Sequence, residues 1–505
     1  MRFEIRHVND IEPRWFWHLV TDGGRILGWS ENYQTKAECM DAIVALRAGV
    51  PGAEVVDRAE PPEPVPRPEP TPPPEPTPPP EPTPPPEPSP RPEPVPPLEQ
   101  VPQGQRTVQP SQRATRGHPG DATGAWLRVR RRDRYDPQVE VVERKGVGHP
   151  DTLCDHVAEH LVRRLSALHL ELTGAVHHVN VDKGLLVAGA VEVGFGGGRR
   201  LRPFRVIIAG RADLLDGAVA VEDLASWVDD HLRTLLPDAE PGSFELELRL
   251  NPPAPELARL VAAAGDRTPR ANDTSVAVVS LPRSPLEDAV YRVERHLNSS
   301  ALGQRLPIGP DVKVMGVRTG TDTTLTVAAP VLATSVDGLG AYESALRAAG
   351  QDAATTAEQT LGLAVTVTMN ASNGGHPYLT LCGSSAEAGD DGQVGRGNRF
   401  GGLITPGRSM SLEACAGKNP VAHVGKTYHA VAHDIAEDVL GHTGAEEITV
   451  TMVSRIGDLI TRPRLVDVDV AGDADPAVVA QIARERLADW QGVRDRLLAG
   501  HYVLF

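Results

Sequence analysis

The chain has 505 residues, with 51 Lys plus Arg against 67 Asp plus Glu and a formal net charge of −16. At roughly 150 residues per domain that length allows two to four domains, and the acidic balance leaves no positive field to drive non-specific binding to nucleic acid or an anionic membrane. No apolar run approaches the ~18 residues that span a bilayer, the polar start does not read as a signal peptide, and four cysteines without C-x-x-C spacing argue against zinc or a disulfide framework; a reduced, soluble, cytoplasmic protein is expected.

Residues 1–57 read as one small module. Phe3 to Arg6 alternates as a strand does, Trp15 to Val20 is aromatic-rich, and Asp22-Gly23-Gly24 is a turn before Arg25 to Trp29. Thr35 and Glu38 have capping-box spacing, Cys39, Ile43 and Leu46 share the helical face that follows, and Gly49 and Pro51 end it. The pattern predicts a ββ(β)α unit and resembles a small bacterial domain of unknown function. Nothing in it looks catalytic, so an accessory or interaction role is expected.

Residues 58–123 change character. Of 47 prolines, 23 fall between Pro61 and Pro97, in an E-P-T-P-P-P repeat that spaces Glu63, Glu69, Glu75, Glu81, Glu87 and Glu93 by six. Two turns of polyproline II take six residues, which puts those carboxylates on one face of a stiff spacer.

From residue 124 to 505, strand-like alternation and amphipathic helices mix. Strands are predicted around Val139–Val142, Val176–Val181, Phe204–Ala209, Phe244–Leu250, Thr274–Leu281 and Ala364–Met369. Helices are predicted over Thr152–Leu168, Val221–Leu236, Pro285–Leu297, Gly340–Leu361, Lys426–Leu440 and Pro476–Leu498. Strands and helices recur about three times, which suits an α+β domain of three similar layers.

Two segments carry chemistry. In Glu143-Arg144-Lys145-Gly146-Val147-Gly148-His149-Pro150-Asp151, Pro150 suits a first helical turn, so His149 stands by a helix N-terminus that favours an anion. Asp151, in the same turn, could hold a divalent cation serving that anion. In Gly389-Asp390-Asp391-Gly392-Gln393-Val394-Gly395-Arg396-Gly397-Asn398-Arg399, carboxylates suited to Mg²⁺ and guanidinium groups suited to phosphate share a glycine-rich loop. Gly417-Lys418-Asn419-Pro420 adds a cation beside a turn. Gly425-Lys426-Thr427 imitates a P-loop end, but Pro420 stands where the upstream glycine is required. The i, i+4 pairs His156/His160 and His429/His433 lack the Glu of H-E-x-x-H and read as polar helix faces.

In order along the chain, ERKGVGHPD, HHVNVDKGLLVAGA, IIAGRA, NDTS, DVKVMGVR and GDDGQVGRGNRFGGLITPGRSMSLEACAGKNP resemble the archaeal-type methionine adenosyltransferases (S-adenosylmethionine synthetases). The resemblance runs from about Val139 to the C-terminus. It implies a core of three similar α/β subdomains about a pseudo-threefold axis, in a homodimer with active sites at the interface. It also implies ATP and L-methionine as substrates, two Mg²⁺ and K⁺ as cofactors, and neither nucleic acid nor membrane as partner. Methionine sulfur would attack C5′ of ATP and displace triphosphate, which is then hydrolysed to pyrophosphate and phosphate.

By the same resemblance His149 bonds the ester or triphosphate oxygens, Arg396 and Lys418 bind polyphosphate, and Asp151 and Asp390 hold metal. Glu143 contacts the nucleotide and Asp273 orients methionine; Asp182, Lys183 and Glu192 lie near the site. The bacterial and eukaryotic pattern G-H-P-D-K has Thr152 here in place of its lysine, and G-R-K becomes Gly395-Arg396-Gly397, with Arg399 the nearest replacement cation. His423 and Lys426 are the nearest substitutes after Gly417-Lys418-Asn419-Pro420. A different reading, a non-catalytic nucleotide-binding scaffold whose first module mediates interactions, is opposed by the joint presence of His149, Asp151, Asp390, Arg396 and Lys418.

Overall fold

A computed structural model describes residues 2–8, 14–20, 26–29, 35–49, 54–57 and 126–505, apart from 254–267, 304 and 372–375. The proline-rich repeat lies outside the described residues. The chain divides into two units, Met1–Gln109 and Pro110–Phe505.

In the first unit, strands Arg2–Val8, Arg14–Val20 and Ile26–Trp29 form an antiparallel meander beside the helix Lys36–Gly49. Glu38 N–H donates to Thr35 Oγ1 at 3.2 Å and Thr35 N–H to the Glu38 carboxylate at 3.3 Å, the capping box the spacing predicts. A fourth strand, Glu54–Asp57, pairs parallel with Arg2–Val8; four residues are too few to show a period of two. Phe3, Cys39 and Ile43 are fully buried, and the Phe3 ring meets Trp17 edge-on with centroids 5.0 Å apart. The side chains of Trp15, Trp29 and Leu46 lie outside the described residues.

The second unit holds three four-stranded sheets built to one plan. The first has strands Phe244–Asn251, Phe204–Ala212, Val179–Val187 and Gly392–Gln393 in that order, and the second Val276–Leu281, Gly444–Val453, Leu465–Asp473 and Leu127–Arg131. The third has Thr366–Met369, Asp322–Ala328, Lys313–Thr319 and Val139–Lys145. Each contains one parallel edge pairing and two antiparallel ones. Each also has its own apolar core and two helices against it: Pro150–Thr173 with Val221–Leu235, Val424–His442 with Pro476–Ala488, and Pro285–Leu297 with Leu339–Leu361. Three like α/β subdomains are therefore present, as the sequence predicts.

Helix Pro150–Thr173 shows why the pattern works. Leu153, Val157, Leu161 and Leu165 lie on one stripe and are all fully buried, each stabilising the core by roughly 1.5–3 kcal/mol. The single helix predicted over Pro476–Leu498 is instead two, Pro476–Ala488 and Trp490–Ala499, because the Asp489 carboxylate turns back to accept the Gly492 N–H at 3.2 Å and caps a new start. Among the described residues no helix is long and apolar enough to cross a membrane.

Candidate active site

Four residues carry the chain from strand Val139–Lys145 of the third sheet into helix Pro150–Thr173 of the first subdomain. In that turn Gly146 N–H donates to Val312 O at 2.7 Å and Gly148 N–H to Pro310 O at 3.0 Å. A Cβ on Gly146 would stand 2.4 Å from Val312 O, so only glycine permits the approach. His149 is the N-cap, its Nδ1 accepting the Asp151 N–H at 3.2 Å. The ring proton is thereby assigned to Nε2, which lies 3.7 Å from Asp390 Oδ2. Burial holds the His149 pKa down to about 4, so the ring is a neutral donor at pH 7.

Asp151 Oδ1 accepts the Gln393 N–H and Oδ2 the Lys145 ammonium, both at 2.8 Å. Asp390 sits at the rim with its side chain 57 % exposed; partial burial, then the charge of Asp151, push its carboxyl above the usual carboxylate range. Two carboxylates thus flank one imidazole, Asp151 at 3.9 Å and Asp390 at 3.7 Å. Mutually repelling oxygen donors of this kind fit Mg²⁺, which takes one or two carboxylates and completes its shell with phosphate and water.

Lys145 also donates to Arg396 O at 2.9 Å, and the Asn398 amide pairs with both backbone groups of Lys145, at 2.9 and 2.8 Å. The Gly395–Arg396–Gly397 turn therefore rests on the end of the strand, with the Arg396 side chain exposed. Glu143, on the same strand, pairs with Lys313 at 3.1 Å. Lys145 and Lys313 stand opposite each other in the sheet and were not singled out from sequence.

Asp182, Lys183 and Asp273 gather elsewhere, around a cavity of 410 Å³ with Asn180, Arg211 and His423. Gly417, left-handed at φ 75°, packs closely against strand Val179–Val187: its carbonyl accepts the Val181 N–H at 2.8 Å, and a Cβ there would stand 2.8 Å from Asp182 Cα. Glu192 is remote from both groups in its contacts, paired on the exposed Ala190–Arg202 hairpin with Arg199 at 2.6 Å.

Three predicted cations have other surroundings. The Lys418 ammonium is buried against the Glu413 carboxylate and the Ala414 carbonyl. Lys426 is wholly buried and pairs with Glu159 at 2.6 Å, which explains why Gly425-Lys426-Thr427 is no phosphate loop. Arg399 lines a separate cavity of 330 Å³ with Arg283, Phe400, Arg408 and His429. Sequence reading also passed over Asp155 and Glu159, which continue the Asp151 stripe along the helix and look like ordinary helical acids until their burial is seen.

Residues 127–501 match the family model described as S-adenosylmethionine synthetase (AdoMet synthetase), and residues 12–57 match a domain of unknown function (DUF1508). The chain is 40 % identical over 392 residues to the S-adenosylmethionine synthase of Pyrobaculum neutrophilum, covering 73 % of this chain and 96 % of that one. It is 41 % identical over 368 residues to that of Aeropyrum pernix, covering 69 % and 89 %. An S-adenosylmethionine synthetase structure from Campylobacter jejuni superposes with a TM-score of 0.48 at 16 % identity, over 71 % of this chain and 88 % of that one.

Proposed function

The chain belongs to the S-adenosylmethionine synthetase family and is a methionine adenosyltransferase that uses ATP and methionine; from that premise we propose that the cluster of His149, Asp151 and Asp390 receives the polyphosphate of ATP. The observation carrying this reading is a neutral imidazole donor between two carboxylates at a helix N-terminus. The leaving triphosphate carries about four negative charges, so donors aimed at that developing charge lower the barrier. His149 Nε2–H donates to the ester or phosphate oxygen as the C5′–O bond breaks, Lys145 and Lys313 supply fixed positive charge, and Arg396 reaches the polyphosphate from the exposed turn. Asp151 and Asp390 would hold Mg²⁺, which when bound neutralises phosphate charge; K⁺ would support the same site. The displaced triphosphate is then hydrolysed to phosphate and pyrophosphate.

Asp182, Lys183 and Asp273 form the methionine side, with Asp273 meeting the ammonium group. On this reading these residues serve a different site from the same chain's His149: Glu159, whose carboxylate accepts the Gly417 N–H beside Asp182 at 3.1 Å, lies eight helical residues beyond Asp151, about 12 Å. A homodimer that sets one copy's phosphate side against the other's methionine side resolves this. The catalytic core spans 124–505, joined by the linker 58–123 to the accessory module 1–57. The compartment, on this reading, is the cytoplasm, where four buried thiols stay reduced.

Incubation with ATP, L-methionine, Mg²⁺ and K⁺ should yield S-adenosylmethionine, and no product under these conditions would overturn the reading. Mixing inactive His149→Ala and Asp273→Ala chains under subunit exchange should restore about a quarter of wild-type activity, because half the dimers then hold one intact shared site. No recovery on mixing would remove the shared site.

A further inference from the structure

Asp151, Asp155 and Glu159 occupy i, i+4 and i+8 on helix Pro150–Thr173, so they form one stripe, and all three are buried. Each accepts a backbone N–H from a segment crossing the helix. Gln393 donates to Asp151 at 2.8 Å, Gly395 to Asp155 at 2.8 Å, and Gly417 to Glu159 at 3.1 Å. The outer two acids have ammonium partners, Lys145 and Lys426. Among the described residues Asp155 has no such partner, and its Oδ2 is buried without a hydrogen bond.

The turn is fitted closely over that carboxylate. Gly395 is left-handed at φ 80°, and a Cβ on Gly397 would come within 2.6 Å of Asp155 Oδ2. Between these two glycines stands Arg396, whose own backbone is held from the other side by Lys145. Burial pushes the Asp155 pKa up to about 7, outweighing the Arg399 charge, which acts on it without an ion pair among the described residues, so the carboxyl contributes through the position of its oxygen.

We infer that Asp155 is a positioning residue for adenosyl transfer, its Oδ1 fixing the Gly395 amide so that the turn presents Arg396 to the polyphosphate. This rests on the reading above that Arg396 binds polyphosphate. The full-length protein would be compared as wild type, Arg396→Ala, Asp155→Ala, Asp155→Asn and the Arg396→Ala/Asp155→Ala double variant, each by kcat, KM for ATP, KM for methionine and Tm. Asp155→Ala should lower kcat/KM for ATP by about tenfold or more, since sub-ångström placement governs such contacts, with KM for methionine little changed. Asp155→Asn keeps an oxygen facing Gly395 and should recover most of that loss. The double variant should be no worse than Arg396→Ala alone.

Losses that multiply in the double variant overturn the inference while leaving Arg396 in its place. Wild-type kinetics for Arg396→Ala would remove the polyphosphate reading and the inference with it. A lowered Tm with unchanged kinetics in Asp155→Ala would reduce Asp155 to a structural residue and overturn the inference. Should Asp155→Ala not fold, Asp155→Glu, which keeps charge but displaces the oxygen, is expected to be more impaired than Asp155→Asn; the reverse order overturns the positioning role.

Discussion

His149 has one nitrogen committed and one free. Because Nδ1 accepts the Asp151 amide, the ring offers a single donor, Nε2–H, and burial keeps it neutral. His149→Ala should therefore lower kcat by roughly 10²–10³-fold, with far less change in KM for ATP, because the contact strengthens as charge develops; steady-state kinetics that split the two constants check this. Asp390→Asn should raise the Mg²⁺ concentration needed for half-maximal activity, read by titrating Mg²⁺ at saturating ATP, with little effect on Tm given its half-exposed side chain. At this scale the sequence was legible where a residue type is rare in its setting. A histidine before Pro-Asp at a helix start and paired acids in a glycine loop announce themselves. Lys145 and Lys313 do not, since a strand lysine ordinarily reads as solvated; the turn after the strand brings Lys145 to Asp151, and strand pairing brings Lys313 to Glu143.

Most elements recognised by period are observed within a few residues of their predicted ends, whereas the strand predicted over Val176–Val181 runs instead over Val179–Val187. The predicted helix over Pro285–Leu297 is observed over those residues, with Ser284 as its cap, because an apolar stripe and a capping box agree. The strands Asp322–Ala328, Gly444–Val453 and Leu465–Asp473 were not assigned, and nor was the break at Asp489, which depends on one carboxylate turning back on its own helix. Helix Val424–His442 is tied to helix Pro150–Thr173 by the Lys426–Glu159 pair, which no sequence spacing reveals across 267 positions. Lys426→Ala would strand a buried carboxylate and should destabilise the second unit by about 3–5 kcal/mol, measurable as a shift in the urea midpoint. Replacing both partners with methionine should cost much less.

For the whole molecule, acid should be the damaging direction. His156, His160 and His429 are held by burial at about 3, 4 and 4, so between pH 6.5 and 4 the unfolded chain binds protons there that the native one refuses, and stability falls as pH falls. His169, His178, His231 and His423 are depressed in the same direction by burial. Asp155 and Asp311, raised by burial to about 7 and about 6, oppose the trend, as do Asp238, Glu287, Glu387, Asp390 and Asp469, raised in the same direction. With His149 also depressed the histidines prevail, so Tm should drop from pH 7 to pH 5, and an unchanged or rising Tm would contradict this balance. Deleting residues 1–104 should leave kcat nearly unchanged, because the family match begins only at residue 127. The second sheet carries a further implication: its edge strand Leu127–Arg131 pairs with Leu465–Asp473, and Arg130 bonds Asp469 across 339 positions. During synthesis on the ribosome that edge emerges long before its mate exists, so the first strand of the second unit to be made is among the last to dock. A nascent chain halted before residue 465 leaves Leu127 and Val129 without the strand that covers them in the finished core.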